Sequence, residues 1–258
     1  ITLTSGFLSL GNANAIDHNG VLTFSGGTLR FTSGNTSDYS DKFSTSNSQQ
    51  YRVDLYGQTV DFNHSLSSSG GSFTLYDNYA GSVGILTFST ANSYTAGTTV
   101  YSGTLKLIDS GGLPSARNVS IQGGALDING TTPSVGSVTL YNAQIIDTAI
   151  PKGTLTATGY SVTTSTSSLA SANLAGSSAG LTFSGRGTLT LSGSNTYGGG
   201  TLINDQGTIL LGSSAAFPSG KDVNFQYGFL DLKGYSPSVG TLTLFYGNIS
   251  DTGASKGS

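Results

Sequence analysis

The chain predicts an all-β fold, a single parallel β-solenoid built from internal repeats, on three observations. One strand pattern occurs three times, opening at Gly6-Phe-Leu-Ser-Leu, Gly103-Thr-Leu-Lys-Leu and Gly207-Thr-Ile-Leu-Leu. Apolar residues alternate with polar ones at a period of two, which puts one face of each strand into a core. No window carries a sustained helical period, and Gly, Ser and Thr interrupt every few residues.

Each copy contains the same succession of strands. The opening strand is followed by Leu22-Thr-Phe-Ser-Gly-Gly, Val119-Ser-Ile-Gln-Gly-Gly or Val223-Asn-Phe-Gln-Tyr-Gly, and then by Leu29-Arg-Phe, Leu126-Asp-Ile or Leu230-Asp-Leu. From Gly103 to Thr148 against Gly207 to Thr252 the register holds without a gap, with roughly twenty identities in some forty-six positions, as expected of a repeat array. Positions 8, 105 and 209 are Leu, Leu and Ile, and positions 10, 107 and 211 are all Leu, whereas Ser9, Lys106 and Leu210 between them vary. The apolar pair therefore faces inward and the variable residue outward. By the same alternation Leu29, Leu126 and Leu230 face inward, and Arg30, Asp127 and Asp231 outward.

Along the chain, residues 1–32 hold the first copy. Residues 33–84 have no partner elsewhere and carry the densest charge: Asp38, Asp41, Lys42, Arg52, Asp54 and Asp61. Residues 85–148 hold a longer second copy, 149–180 read as a Ser/Thr/Ala-rich connector, and 181–258 hold the third. The copies thus run about 1–84, 85–180 and 181–258, with no linker to separate domains. With about twenty residues per turn and strands about 4.8 Å apart, such a chain forms a rod of about a dozen turns.

Composition narrows the function. Of 258 residues, 38 are Gly and only 9% are charged, but 12 Phe and 13 Tyr supply surface to bury, which argues against disorder. Every one of the 13 acids is Asp, the carboxylate that suits tight turns rather than helices. A net charge of −3 with ten scattered Lys and Arg leaves no basic stripe for nucleic acid or membrane. Without Cys there is no disulfide, thiol nucleophile or zinc cluster. No apolar run is long enough to span a bilayer as a helix. Met is absent even at position 1, so the chain reads as processed or as a window of something longer.

Two stretches share a phrase: Leu86-Thr-Phe-Ser-Thr-Ala-Asn-Ser-Tyr-Thr-Ala-Gly-Thr-Thr-Val and Leu189-Thr-Leu-Ser-Gly-Ser-Asn-Thr-Tyr-Gly-Gly-Gly-Thr-Leu-Ile. It resembles the autotransporter-associated β-strand repeat of bacterial surface proteins, with the third copy matching well over Ser192 to Thr201 and the second carrying Ala96 in place of a Gly. Asn35-Thr-Ser-Asp-Tyr-Ser-Asp-Lys-Phe-Ser, Tyr51-Arg-Val-Asp and Gly57-Gln-Thr-Val-Asp-Phe are similar to segments of such proteins. The resemblance implies a right-handed parallel β-helix on an extracellular passenger region, and it implies no catalytic residue. Physically, Asn92 and Asn195 are placed to cap main-chain groups at a turn, Tyr94 and Tyr197 to cover the corner, and Gly97 and Gly200 to allow a sharp bend or positive φ.

Parallel β-helices also serve polysaccharide lyases and depolymerases, so acid pairs need weighing, because glycoside cleavage uses two carboxylates about 5 to 9.5 Å apart. Asp127 with Asp147 and Asp231 with Asp251 recur at equivalent positions, which favours turn capping over one active site per repeat. The unrepeated Asp38, Asp41, Asp54 and Asp61 are the enzyme candidates. His18 and His64 stand alone, without Ser-His-Asp or His-x-x-x-His spacing, and read as surface turns. Gly123-Gly124-Ala-Leu-Asp127 lacks calcium-loop spacing. Catalytic, cofactor and metal residues are therefore expected to be none. Tyr39, Tyr51, Tyr56, Tyr76, Tyr79, Tyr141 and Tyr246 lie near polar positions, where they either pack corners or form an adhesive face.

The sequence reading is a non-enzymatic extracellular scaffold, a stalk, fibre or adhesin at a bacterial surface, with a carbohydrate-active β-helix enzyme as the alternative. Its partners are its own copies stacked end to end or a longer chain, and a surface glycan or neighbouring cell, but not nucleic acid or a membrane. Ile1-Thr-Leu-Thr-Ser-Gly6 aligns with Thr98-Thr-Val-Tyr-Ser-Gly103, and Asp251 to Ser258 with Asp147 to Thr154, so both ends are expected to meet another turn. If the facing assignment holds, Leu107→Asp or Leu211→Asp unfolds the neighbouring turns while Lys106→Asp is silent; equal shifts in thermal melts would refute it.

Overall fold

A computed structural model describes residues 1–13, 15–17 and 19–257, and shows an all-β chain of short parallel strands stacked as a β-solenoid. Among the described residues the helical segment is the 3-10 turn Ser40–Lys42. The chain divides into two compact units, Ile1–Asp127 and Ile128–Ser258.

In the first unit one ladder runs through Phe7–Ser9, Thr28–Arg30, Gln50–Asp54, Ser72–Tyr76, Gly97–Val100 and Asn118–Gln122. A second runs through Thr59–Phe62, Ile85–Phe88, Thr104–Leu107 and Ala125–Asp127. Because strands are parallel and in register, like side chains stack on like. Val53, Leu75, Val100 and Ile121 form one buried column, and Val60, Leu86, Leu105 and Leu126 another. Phe24, Phe43, Tyr51, Phe62, Phe73 and Phe88 add a chain of ring contacts between 4.6 and 6.2 Å. Each such side chain removed from water contributes about 1.5–3 kcal/mol.

The second unit repeats the arrangement. Ser137–Tyr141, Gly159–Thr163, Leu181–Ser184, Thr201–Ile203, Val223–Asp231 and Leu242–Ser250 form one ladder. The other contains Gln144–Ile146, Ser167–Ala170, Thr188–Leu191 and Thr208–Leu211. Residues 149–180 are thus not a connector. They hold Thr154–Thr156, Gly159–Thr163, Ser167–Ala170 and Asn173–Ala175, with Leu155, Tyr160, Val162, Ala170 and Leu174 buried. Between the larger ones, the inward Ala157, Thr164, Ser168, Ala170 and Ala172 weakened the alternation there. The third copy's second and third strands are likewise one strand, Val223–Asp231, bent at Gly228 with φ +94°.

The inward positions Leu105, Leu107, Ile209, Leu211, Leu29, Leu126 and Leu230 are buried, and Leu8 is half-buried. The outward reading fails for Asp127 and Asp231, which are buried at 3% and 7% exposure. Both end a strand where the chain turns, and at Asp231 the amides of Lys233 and Thr252 hold the carboxylate.

Lys106 is in register with Thr87 and Asp127, so an acid there would set two carboxylates side by side. The silent control is therefore Lys106→Ser. Leu107→Asp, at 0% exposure, is expected to cost on the order of 4 kcal/mol or more, read as a lowered melting midpoint that Lys106→Ser does not show.

Candidate functional site

The polar side chains that the sequence singles out converge on the corners. Asp54-Leu-Tyr-Gly57, Asp127-Ile-Asn-Gly130 and Asp231-Leu-Lys-Gly234 each end a strand and enter a turn with two successive left-handed residues: Tyr56 and Gly57 at φ 49° and 78°, Asn129 and Gly130 at 44° and 77°, Lys233 and Gly234 at 52° and 83°. Such a turn points its amides away from the ladder, and carboxylates collect them. Asp231 Oδ1 accepts from the amides of Lys233 and Thr252 at 3.0 Å each, and its Oδ2 accepts from the Thr252 hydroxyl at 2.7 Å. Asp54 Oδ1 accepts from the amides of Tyr56 and Asn78, while its Oδ2 accepts from Arg30 Nε at 2.7 Å and Asn78 Nδ2 at 3.1 Å.

A second Asp, one turn further on, completes each corner. Asp77 accepts from the amides of Gly57 and Gly84 at 2.6 Å each. Asp147 accepts from Gly130, Ala149 and Gly153 at 2.8, 3.0 and 2.6 Å. Asp251 accepts from Gly234 and Gly253 at 2.8 Å each, and from Gly257. Turn capping therefore accounts for Asp147, Asp231 and Asp251, and Asp127 sits buried at the same place in its own corner.

Asp54 and Asp77 are a third corner that the sequence reading missed. Its signal was the tetrapeptide Asp-Leu-Tyr-Gly. A loop one residue longer, spanning seven positions from Asp77 to Gly84 against six from Asp147 to Gly153, broke the gapless alignment.

The four enzyme candidates do not assemble. Asp54 is 0% exposed and pairs with Arg30 at 2.7 Å. Asp61 is exposed on the strand Thr59–Phe62. Asp38 accepts from the amides of Ser40 and Asn63 and lies 3.4 Å from His64 Nδ1, while Asp41 pairs with Lys42 at 2.8 Å. Asp38 and Asp41 line a cleft of about 380 Å³ together with Asp17, Tyr39 and Lys42, but neither Asp54 nor Asp61 does. A wider cleft in the second unit, about 570 Å³ between Ser194, Ala215, Pro218, Lys221 and Ser238, is lined by no carboxylate or imidazole. Among the described residues no group of three or more His, Cys, Asp or Glu could hold a metal ion. His18 lies outside the described residues.

The Asn-x-Tyr phrase acts as the sequence suggests for Asn and differently for Tyr. Asn92 accepts from the Leu66 amide and donates to the Gly112 carbonyl, both at 2.7 Å. Asn195 does the same between Leu174 at 2.9 Å and Ala216 at 2.7 Å, so each carboxamide bridges the turns on either side of its own. Tyr94 and Tyr197 do not cover the corner from outside. Both are 0% exposed in the core, sharing a hydrogen bond with Thr98 and Thr201 at 2.6 and 2.7 Å. Burial raises both hydroxyls' pKa, and that of Tyr160, far above the phenol range, and pushes Tyr51 up to about 12. Gly200 takes φ +76°, whereas Gly97 is ordinary strand.

Of the candidate adhesive tyrosines, Tyr39 and Tyr51 are core. Tyr56 and Tyr79 are outward and continue a strip across four successive turns. Arg30 lies 3.8 Å over the Phe7 ring and 4.9 Å from Tyr56, and Tyr56 meets Tyr79 edge-on at 5.1 Å. Asp54 neutralises the cation beneath them, so the strip presents held aromatic rings with no net charge.

The family model described as Passenger-associated-transport-repeat matches this chain at residues 80–107 and 181–211. Those two stretches contain the Asn-x-Tyr phrase and the strands on both sides of it. No curated protein and no solved structure matches the chain.

Two outcomes test the corners. Asn195→Ala strands a buried amide and a buried carbonyl, which should cost about 1–3 kcal/mol in a denaturant melt. The second concerns acid. Burial opposes ionisation of Asp231, but the Thr252 hydroxyl, the amides of Thr252 and Lys233 and the Lys233 charge outweigh it and hold its pKa below the carboxylate range. Asp251 is held low first by the Gly253 amide, against desolvation, and then by Gly257, Gly234 and Lys256. A depressed folded-state pKa gives stability that is present above the unfolded value, about 3.9, and lost as pH falls through the folded one. The melting midpoint should therefore drop as pH is lowered from about 4, and less steeply in Asp251→Asn.

Proposed function

We propose that the protein is a non-enzymatic extracellular scaffold, a β-solenoid stalk or fibre displayed at a bacterial surface and extended by stacking on a further turn. The observation that carries this reading is the use of the carboxylates. Asp54, Asp77, Asp147, Asp231 and Asp251 each hold main-chain amides of a corner, and so build the stack rather than face a substrate. The likeness to a passenger-associated transport repeat supports a surface or secreted setting. No helix among the described residues is long and apolar enough to cross a membrane.

The test is labelling of intact source cells with antibodies to the chain, with and without external protease. Label that appears on intact cells and is shaved off by protease is the expected result; label seen only after permeabilisation overturns it. In parallel, the purified chain should leave a panel of polysaccharides uncut, whereas depolymerisation abolished by Asp61→Asn would favour the enzyme.

The strip of Phe7, Arg30, Tyr56 and Tyr79 favours a second element of the reading, an adhesive face for glycan. Rings held in place by an Arg and by one another stack on a sugar with little loss of side-chain freedom. Glycan-array binding by the chain that is lost in Tyr79→Ala, with the melt unchanged, is the expected outcome.

A further inference from the structure

Two pairs of tyrosines on the outer face have no role in the core or the corners. In the first unit Tyr76 ends the strand Ser72–Tyr76 and Tyr101 directly follows the next strand of the ladder, Gly97–Val100: the Tyr101 amide donates to the Leu75 carbonyl at 2.9 Å, and Leu75 pairs with Val100. Their rings are stacked 5.0 Å apart and 4° from parallel. In the second unit Tyr227 is in register with Tyr246, with rings 5.4 Å apart and 12° from parallel. Tyr101, Tyr227 and Tyr246 are 41%, 45% and 76% exposed, and Tyr76 is half-buried.

The buried tyrosines behave differently. Tyr51, Tyr94, Tyr160 and Tyr197 all hydrogen-bond through their hydroxyls, and their ring pairs stand 6.4 and 6.1 Å apart. None of the four outer hydroxyls has a hydrogen-bond partner among the described residues. Phe would stack as well, so packing alone does not ask for a phenol at these places.

Composition adds an independent observation. The chain contains no Cys, no Met and no Trp. Those are the side chains that ordinarily yield first to oxidants, through sulfur or the indole ring. An oxidising equivalent that reaches this surface finds Tyr as the most easily oxidised side chain present.

We propose that Tyr76–Tyr101 and Tyr227–Tyr246 are oxidative cross-linking sites, at which hydrogen peroxide acting through a haem peroxidase joins each stacked pair as dityrosine. Each phenol gives up one electron to the oxidant and one proton to water. The two phenoxyl radicals pair their spins in a new Cε–Cε bond, and the displaced Cε protons pass to the oxygens, restoring both aromatic rings and both hydroxyls. The pair loses two hydrogen atoms and one peroxide becomes two waters. Near-parallel stacking holds the two rings face to face, the approach in which phenoxyl radicals couple, and the rings then tilt and close from 5.0 and 5.4 Å to bond distance. The link would clip one turn of the solenoid to the next in a chain that has no cysteine to do so.

This inference stands apart from the scaffold reading, because it is decided on the purified chain. Dilute folded protein is treated with horseradish-type peroxidase and peroxide, and the monomer is digested and mapped by mass spectrometry. Peptides linking Tyr76 to Tyr101 and Tyr227 to Tyr246, each lighter by two hydrogens, are expected, with a raised melting midpoint for the linked monomer. Tyr101→Phe should lose the first link and keep the second, and Tyr246→Phe the reverse. Links that form as fast in urea-unfolded chain, that join Tyr56 to Tyr79 in preference, or that arise only between molecules would overturn the proposal. Should a Phe variant fail to fold, the map of the unsubstituted protein still decides.

Discussion

A solenoid turn satisfies its strand amides against the turns before and after it, but at each corner the chain swings out of register and its amides lose those partners. Burying such groups unpaired costs about 1–3 kcal/mol each, so a stack of turns cannot close without an answer at every corner. In this chain the answer is a short side chain with two hydrogen-bonding positions. Asp77, Asp147 and Asp251 reach back to a left-handed glycine and forward to a second glycine, and Asn92 and Asn195 take an amide on one side and give to a carbonyl on the other. Both devices act between turns, so they hold spacing as well as local shape.

This constraint explains the composition. Glu would carry its carboxylate one bond too far for a tight corner and favours helix, whereas Asp hydrogen-bonds its own neighbourhood. Glycine recurs where a left-handed turn admits no side chain without strain, as at Gly57, Gly130 and Gly234. The same use of carboxylates leaves much of the outer face to Thr, Ser and paired rings such as Tyr76 with Tyr101. It also ties stability to ionised Asp, which is why acid should loosen the corners before it reaches the apolar columns.

The repeats, the period-two alternation and the corner role of Asn were legible in the residues, because a stacked turn forces the same side chain onto the same position in every copy. Thus Leu105 and Ile209, or Asn92 and Asn195, announced themselves by recurrence. The corner at Asp54 and Asp77 was not legible, since one extra residue in its loop displaced the alignment, and Asp54 then looked like part of an unrepeated cluster with Asp38, Asp41 and Asp61. The turn at 149–180 was obscured by Ala and Ser at inward positions, where small side chains weaken the pattern without losing the ladder.

By itself the sequence determined that the chain is a parallel β-solenoid, which apolar positions of its repeated strands face the core, and that no disulfide holds it, because these follow from pattern and from residue type. Only the tertiary structure decided where the acids go and which rings meet. Asp127 and Asp231 alternate as outward residues yet are buried, Tyr94 and Tyr197 lie in the core rather than over a corner, and Tyr76 stacks on Tyr101. Each of these depends on what the adjacent turn supplies. Residues some twenty positions apart become neighbours only through the register of the stack, and no local rule of alternation carries that information.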